Sequence, residues 1–166
     1  MVSIRHLQKS DVAALAEYAN NRKIWDNVRD YFPHPYTREN ALEFVELFNQ
    51  HETDHVFSIL DDDLFVGVVG IHALKDIYRN TAEVGYWIGE PFWNKGYASM
   101  ALHQAIRFAW EKTGFLRLEA GVFEHNVASM KVLEKCGFTK EGILQKRLKK
   151  NEVSYDEHLY ALIKPS

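Results

Sequence analysis

Apolar positions along the chain switch between two spacings, and the switches outline the elements. Val2, Ile4 and His6 alternate with Ser3 and Arg5, the two-residue period of a short strand. Val12, Leu15, Ala16 and Ala19 then recur at helical spacing behind Ser10 and Asp11, either of which can cap the first turn. A second, less regular helical stretch is expected over Asn20–Val28. The run Tyr31-Phe32-Pro33-His34-Pro35-Tyr36 is excluded from regular helix by its two prolines. Thr37, with Glu39 and Asn40 behind it, opens a further helix whose apolar positions are Ala41, Leu42, Phe44, Val45, Leu47 and Phe48.

The texture then changes. His55–Leu60 and Leu64–Leu74 are β-rich runs around the acidic turn Asp61-Asp62-Asp63, which reads as a hairpin. A third run, Ala82–Ile88, follows the turn-like Tyr78-Arg79-Asn80-Thr81. Ala98, Ala101, Leu102, Ala105, Phe108 and Ala109 mark a helix over Tyr97–Thr113, with Gly114 as its expected terminator. Phe115–Phe123 reads as a strand and Asn126–Cys136 as a helix ended by Gly137, with Val127, Met130 and Leu133 turned inward. Tyr155–Ile163 is the last strand, behind a hairpin near Asn151–Asp156. The order is one strand, helices, an antiparallel run of strands, then β-α-β-α-β, so the fold class is a mixed α/β sheet.

Composition narrows the class. With 166 residues, no internal repeat and no linker-like tract, the chain is expected to be one domain, residues 1–166, burying roughly 70% of its unfolded surface. The hydrophobic share of 46% and charged share of 26% suit a globular protein rather than a disordered one. A net charge of −3 carries no basic footprint for nucleic acid. One cysteine and no Asn-x-Ser/Thr site fit a reducing compartment. Charge near the start, where a signal peptide needs an apolar run, and no uncharged stretch long enough for a bilayer point to a cytoplasmic location without membrane contact.

Candidate chemistry gathers at the junction Trp87-Ile88-Gly89-Glu90-Pro91-Phe92-Trp93-Asn94-Lys95-Gly96-Tyr97-Ala98-Ser99, where a strand runs into a helix. The first N–H groups of a helix lack internal partners and lie at the positive end of its dipole. Gly96 and Ala98 would let a bulky anion approach them, and Lys95 could add a point charge. The turn is neither a Walker A loop nor G-x-G-x-x-G. By itself it reads equally well as an ordinary tight turn. Likewise Asn126-Val127-Ala128-Ser129 is fully explained as a capped helix start.

Taken together, these segments resemble the GNAT superfamily of acyl-CoA-dependent N-acetyltransferases. Its Q/R-x-x-G-x-G/A motif falls on Trp93–Ala98, with Trp93 in place of Gln or Arg. The RimJ/RimL-type branch is closer: its G-Y-W-I strand and W-x-K-G-Y-A turn read here as Gly85-Tyr86-Trp87-Ile88 and Trp93-Asn94-Lys95-Gly96-Tyr97-Ala98. Its N-x-x-S and K-x-G-F elements recur at Asn126, Ser129, Lys135, Gly137 and Phe138. The likeness spans nearly the whole chain and is densest over 83–138.

The resemblance implies a single-domain GNAT-like fold: a mostly antiparallel mixed sheet, splayed between central strands, with helices on both faces. It implies that the amides of Asn94, Lys95, Gly96, Tyr97, Ala98 and Ser99 hold the pyrophosphate of acetyl-CoA. Main chain at Trp87 and Ile88 would pair with the pantetheine arm, and Asn126 and Ser129 would face the thioester. The acceptor would be a primary amine, at a protein N-terminus or on a small molecule, attacking directly in a ternary complex. No metal is implied, and a homodimer is compatible with the family. An α-amino group costs only about 1 kcal/mol to deprotonate at pH 7, a lysine roughly 4.6 kcal/mol, so one carboxylate could serve either. Glu83 is the candidate base, since alternation puts Glu83, Gly85 and Trp87 on one face just before the splay. The helix position where many relatives carry an acidic tyrosine is Leu133 here, leaving Ser129 as the candidate proton donor. A further carboxylate of some RimL-like proteins falls on Leu148. His34 and Tyr36 would wall the acceptor site together with Glu83, and Asp156 and Glu157 could attract an ammonium group.

His51-Glu52-Thr53-Asp54-His55 matches the H-E-x-x-H zinc-protease motif literally, but it straddles a helix end and a strand start, where the two imidazoles cannot share a metal. Cys136 has no partner signature and reads as a small buried residue. The alternative to an enzyme is a catalytically idle acyl-CoA sensor or partner module, which the missing tyrosine keeps open.

Overall fold

The computed structural model describes residues 1–49 and 51–166. In chain order its elements are β1 (Val2–His6), α1 (Val12–Ala19), α2 (Arg22–Trp25), α3 (Arg38–Phe48), β2 (His55–Asp61), β3 (Leu64–Ala73), β4 (Thr81–Ile88), α4 (Tyr97–Lys112), β5 (Arg117–Phe123), α5 (Val127–Lys135), β6 (Thr139–Lys150) and β7 (Val153–Ile163). The strands form one sheet in the order β1-β2-β3-β4-β5-β7-β6. Every neighbouring pair is antiparallel except β4 and β5, which run parallel for three residue pairs, Thr81–Glu83 against Arg117–Glu119. Beyond them the two strands diverge. The expected mixed sheet with a central splay is the observed one. No helix among the described residues is long and apolar enough to cross a membrane.

Alternation along each strand divides the molecule into two cores. Ala82, Val84 and Ile88 of β4 and Leu118, Ala120 and Val122 of β5 pack with α4 and α5 on one face. On the other, Val56 and Leu60 of β2 and Phe65 and Val68 of β3 pack with Leu15, Ala41 and Val45 of α1 and α3, and Trp87 lies against this second core. Ala101, Ala105 and Ala109, all fully buried, give α4 a flat face that lets it lie close to the sheet. Thr37 and Asn40 cap α3 reciprocally, each side chain taking the other's backbone N–H.

Several local expectations need correction. The helix expected over Asn20–Val28 is only Arg22–Trp25, because the Asn21 side chain accepts from Lys23 N–H and Ile24 N–H and so sets its start. Gly114 does not terminate α4. Thr113 does, its hydroxyl donating to Ala109 O at 2.7 Å and accepting from Phe115 N–H at 3.2 Å. Val127 is exposed, while Met130 and Leu133 are buried as expected. The long strand β6 has few buried side chains, since it is the sheet edge and is rich in lysine; an apolar pattern to announce it is missing.

α1 is anchored by a buried charge. Asp11, 4% exposed, receives both guanidinium arms of Arg5 at 2.8 Å, the Ser58 hydroxyl at 2.7 Å and Gln8 N–H at 2.9 Å. Burial alone pushes the Asp11 carboxyl up, but these donors together outweigh it and hold it below the ordinary carboxylate range. Asp11→Ala should therefore cost about 2–4 kcal/mol in urea unfolding at pH 7, by stranding Ser58 and Arg5. The folded pKa lies below the unfolded one, so this stabilisation is complete above pH about 4 and is lost as pH falls through the folded value. The gap between wild type and variant should narrow in acid.

Candidate active site

The splay creates the site. Gly89 N–H bonds to Val66 O, and Thr81 O accepts from Leu74 N–H, so odd-numbered residues of β4 turn their main chain toward β3. The even-numbered residues Tyr86 and Ile88, beyond the pairing with β5, direct theirs into the splay. This corrects the expectation for Trp87, whose main chain belongs to the β3 side and whose indole packs edge-on to Phe32, 6.0 Å between centroids. Ile88 does face the splay. Its carbonyl receives the Trp93 indole N–H at 2.7 Å, so the tryptophan in the Gln/Arg position of the motif caps the end of β4.

Past Trp93 the chain turns through Asn94 (φ 62°) and Gly96 (φ 80°) into α4. Gly96 is the N-cap, and only glycine adopts such a φ without strain. Among the described residues, none of the backbone N–H groups from Asn94 to Ser99 donates to a carbonyl or side chain. A Cβ on Gly96 would meet nothing nearer than Met100 Cε at 3.7 Å, so the space over these amides is open. That is a cradle a diphosphate fits. The side chains here are otherwise engaged: Ser99 Oγ donates to Gly96 O at 3.0 Å, and Tyr97 OH donates to Asp61 at 2.6 Å, which raises the phenol's pKa and lowers that of Asp61. Lys95 is exposed, its ammonium 5.7 Å from the Phe92 ring. At the junction's other side Glu90 accepts from Asn21 at 2.6 Å and from Lys23, which ties α2 to the turn.

On the α5 side of the splay, Asn126 caps α5 by accepting from Ser129 N–H at 3.3 Å. The Ser129 hydroxyl lies 2.9 Å from the hydroxyl of Tyr86, which also donates to Ser129 O at 3.1 Å. Burial pushes the Tyr86 phenol well above its ordinary pKa, against the opposing effect of the Ser129 hydrogen bond. Tyr86 is not singled out as a functional group by the sequence pattern, although its parity, opposite to Glu83, already places it on the α5 face. Leu133 is fully buried, and Cys136 is a buried thiol, pushed up by burial, 3.6 Å from Ser99 O.

The opposite face of the splay is acidic but matched. Glu83 pairs with Arg29, Glu119 with Arg117 at 3.0 Å, and Glu157 with Arg147 at 2.7 Å. Burial, set against the pull of Arg147, raises the Glu157 carboxyl, which lies against the bare Cα of Gly121. Arg29 sits in the irregular segment after α2, where no sequence pattern signals it. Glu157 joins Glu83 on this face, whereas Asp156 accepts from Lys146 N–H at 2.8 Å in the hairpin. Leu148 is half-buried on β6. His34 is exposed beside Trp25, 5.6 Å between rings. Tyr36 is not a wall residue with a free polar tip: it is 6% exposed and packs on Phe32 in the second core, and burial raises its phenol. Lys150 likewise has no signature in the sequence. It is 3% exposed, donates to Val28 O at 2.9 Å, pairs with Asp30 at 3.0 Å and sits 3.8 Å from the Trp25 ring centre. With Arg22, Asp26, His125, Asn151 and Tyr155 it lines a cleft of about 430 Å³ between α2 and the β6–β7 hairpin. The two histidines of the zinc-like motif serve separate ends: His51 accepts from Asp54 N–H at 3.0 Å, and His55 packs edge-on to Phe108.

A family model described as "Acetyltransferase (GNAT) domain" matches residues 2–139. Among relatives, "Probable N-acetyltransferase YjcK" of Bacillus subtilis is 33% identical over 172 residues, covering 99% of this chain and 94% of its own length. "Uncharacterized N-acetyltransferase YoaA" of the same organism is 36% identical over 105 residues, covering 63% of this chain and 59% of that protein. "[Ribosomal protein uS5]-alanine N-acetyltransferase" of Escherichia coli is 29% identical, covering 98% and 87%. Among solved structures, RimL, a ribosomal L7/L12 alpha-N-protein acetyltransferase in complex with coenzyme A, superimposes with a TM-score of 0.87 at 24% identity, covering 98% of this chain and 93% of RimL. The Microcin C7 self immunity acetyltransferase MccE, in complex with acetyl-CoA and AMP, gives 0.85 at 26% identity, covering 98% and 92%.

The cradle's dependence on one backbone angle is measurable without any ligand. Gly96→Ala should lower unfolding stability by about 1 kcal/mol, the cost of a Cβ at positive φ, with no steric contribution. A urea midpoint unchanged by this substitution would contradict the left-handed N-cap.

Proposed function

The chain belongs to the GNAT acetyltransferase family and is an N-acetyltransferase; from that premise we propose that it moves the acetyl group of acetyl-CoA directly to a primary amine, at a protein N-terminus or on a small molecule. One observation carries the reading: the open amides of residues 94–99 stand at the end of the same strand whose free edge, Tyr86–Ile88, lines the splay. A diphosphate on the amides would lay its attached arm along that edge, where the Tyr86 and Ile88 main chain can pair with amide groups as a neighbouring strand would. The thioester would then lie in the splay, between Ser129 on the α5 face and Glu83 on the other.

The division of labour follows from the faces. The amine arrives from the face of Glu83, Glu119 and Glu157, each carboxylate already matched by an arginine. Arg29 anchors Glu83 and sets its direction, so that its second oxygen, or a water on it, receives the amine's proton. Asn126 and Ser129 face the acyl donor; the Asn126 carbonyl is committed to the helix cap, which leaves its amide as the group free to act. The substrate walls are the α2 segment with His34 and the β6–β7 hairpin, with the Lys150 cleft between them. The relative acting on ribosomal protein uS5 supports a protein N-terminus as one acceptor, and its α-amine is the cheaper one to deprotonate by roughly 3.5 kcal/mol.

Purified protein should bind coenzyme A by calorimetry and release thiol from acetyl-CoA only when an amine is added. Gly96→Val should abolish that binding, by placing a branched side chain over the amides. Glu83→Gln should lower kcat about 100-fold or more while leaving coenzyme A affinity nearly intact. An unchanged rate in Glu83→Gln removes it as the base.

A further inference from the structure

The proposed function leaves one need unmet: α5 brings no phenol to the departing sulfur, since Leu133 occupies that position and is wholly buried. A phenol reaches the same place from the other side of the splay. Tyr86 stands on the free edge of β4, and its parity sends its side chain toward α5. Its hydroxyl lies within 2.9 Å of Ser129 Oγ and within 3.1 Å of Ser129 O. It therefore bridges the splay, from unpaired strand to the first turn of the facing helix. Resting on the acyl-transfer reading, we propose that Tyr86 is a positioning residue: it holds the Ser129 hydroxyl so that Ser129 hydrogen-bonds the coenzyme A sulfur as the carbon–sulfur bond breaks.

The two acceptors around one phenolic hydrogen make this work without moving a heavy atom. In one arrangement Tyr86 donates to Ser129 O, and the Ser129 hydroxyl donates back to the phenol oxygen. In the other, Tyr86 donates to Ser129 Oγ, and the serine hydrogen is free to turn toward the splay. Negative charge on a sulfur there favours the second, and only rotation of two O–H bonds separates them. Such prearranged donors act at the moment charge develops.

The pair donates a hydrogen bond rather than a proton. An ordinary phenol, pKa about 10, is already a weaker acid than a thiol of about 8.5, and burial weakens Tyr86 further. Atoms and charges balance. The amine lone pair forms the carbon–nitrogen bond, the carbon–sulfur electron pair stays on sulfur, and the amine's proton leaves to Glu83 or its water. Sulfur departs as thiolate under the Ser129 hydrogen bond and is protonated by water on release. The Cys136 thiol does not compete, since it is turned to Ser99 O.

The test reads the sulfur itself. Coenzyme A is titrated on the protein by the ultraviolet absorbance of its thiolate. Bound to wild type, its thiol should titrate below free coenzyme A. In Tyr86→Phe, which keeps the ring, that pKa should rise by about half to one pH unit, and kcat should fall about 5- to 10-fold with coenzyme A affinity within about twofold. Ser129→Ala, in a half-exposed first turn that tolerates the change, should give at least as large a rise, and adding Tyr86→Phe to it should shift nothing more. An unchanged thiol pKa and kcat in Tyr86→Phe overturn the proposal, as does an equal Tyr86→Phe shift in the Ser129→Ala background, which would make the phenol independent of the serine. If wild type fails to bind coenzyme A at all, the acyl-transfer reading falls first and this inference with it.

Discussion

Three residue pairs hold β4 to β5, and among the described residues no other strand pairing joins the two halves of the sheet. The pairing stops where Glu83 comes opposite Glu119, like charges on one face, which weakens a strand pair unless each is neutralised. Arg29 does that for Glu83 from outside the ladder, and Arg117 does it for Glu119 from two residues earlier on the same strand, so the carboxylates are satisfied without drawing the strands together. The result is a wedge whose one wall is an unpaired strand edge and whose other wall is the start of α5. A fully zipped sheet would have no passage between its faces. The short ladder keeps the molecule one body while leaving the wedge open between its two faces.

This wedge is legible in the sequence only through likeness to a family; periodicity supplies its parts. Alternation correctly puts Glu83 and Trp87 on one face, because one buried core on each side enforces the two-residue period. The helix after Gly96 is expected from its apolar spacing, whereas the left-handed φ of Gly96 is seen only in the structure. The readings that fail do so for physical reasons. Tyr36 looks like a polar tip in a proline-stiffened loop, but an aromatic ring next to Phe32 and the second core gains more from burial than from presenting its hydroxyl. Gly114 looks like a helix stop, yet Thr113 closes the helix with its own hydroxyl, a side-chain bond that competes locally with backbone signals. The main-chain direction of Trp87 depends on the hydrogen-bond phase against β3, which no side-chain pattern reveals. Arg29 and Lys150 find their partners 54 and 122 residues away, and such contacts leave no local trace.

Open strand edges are costly when their polar groups find no partner, at about 1–3 kcal/mol for each one buried. The structure meets part of this cost at the end of β4. Trp93 folds back to donate its indole N–H to Ile88 O. Tyr86 spans to Ser129, which ties the strand to α5 without a ladder. The groups that tie the walls of the wedge together thus also line it.

The segment around α2 extends this coupling to both openings of the wedge. Four residues are too few for a helix to hold on its own, so its order comes from what it touches. At one end Asn21 and Lys23 grip Glu90, and Lys23 lies 5.9 Å from the Trp93 ring, beside the amide cradle. At the other, Trp25 receives the buried ammonium of Lys150, and the chain just beyond supplies Arg29 to Glu83. Both openings of the wedge are therefore held by α2 and the residues flanking it, whose exposed contacts are largely ionic. Exposed ion pairs weaken as salt rises, while the packed aromatic contacts around Trp25 and Trp93 do not. Both openings therefore carry an exposed ion pair that salt weakens, Lys23–Glu90 beside the cradle and Arg29–Glu83 on the other face.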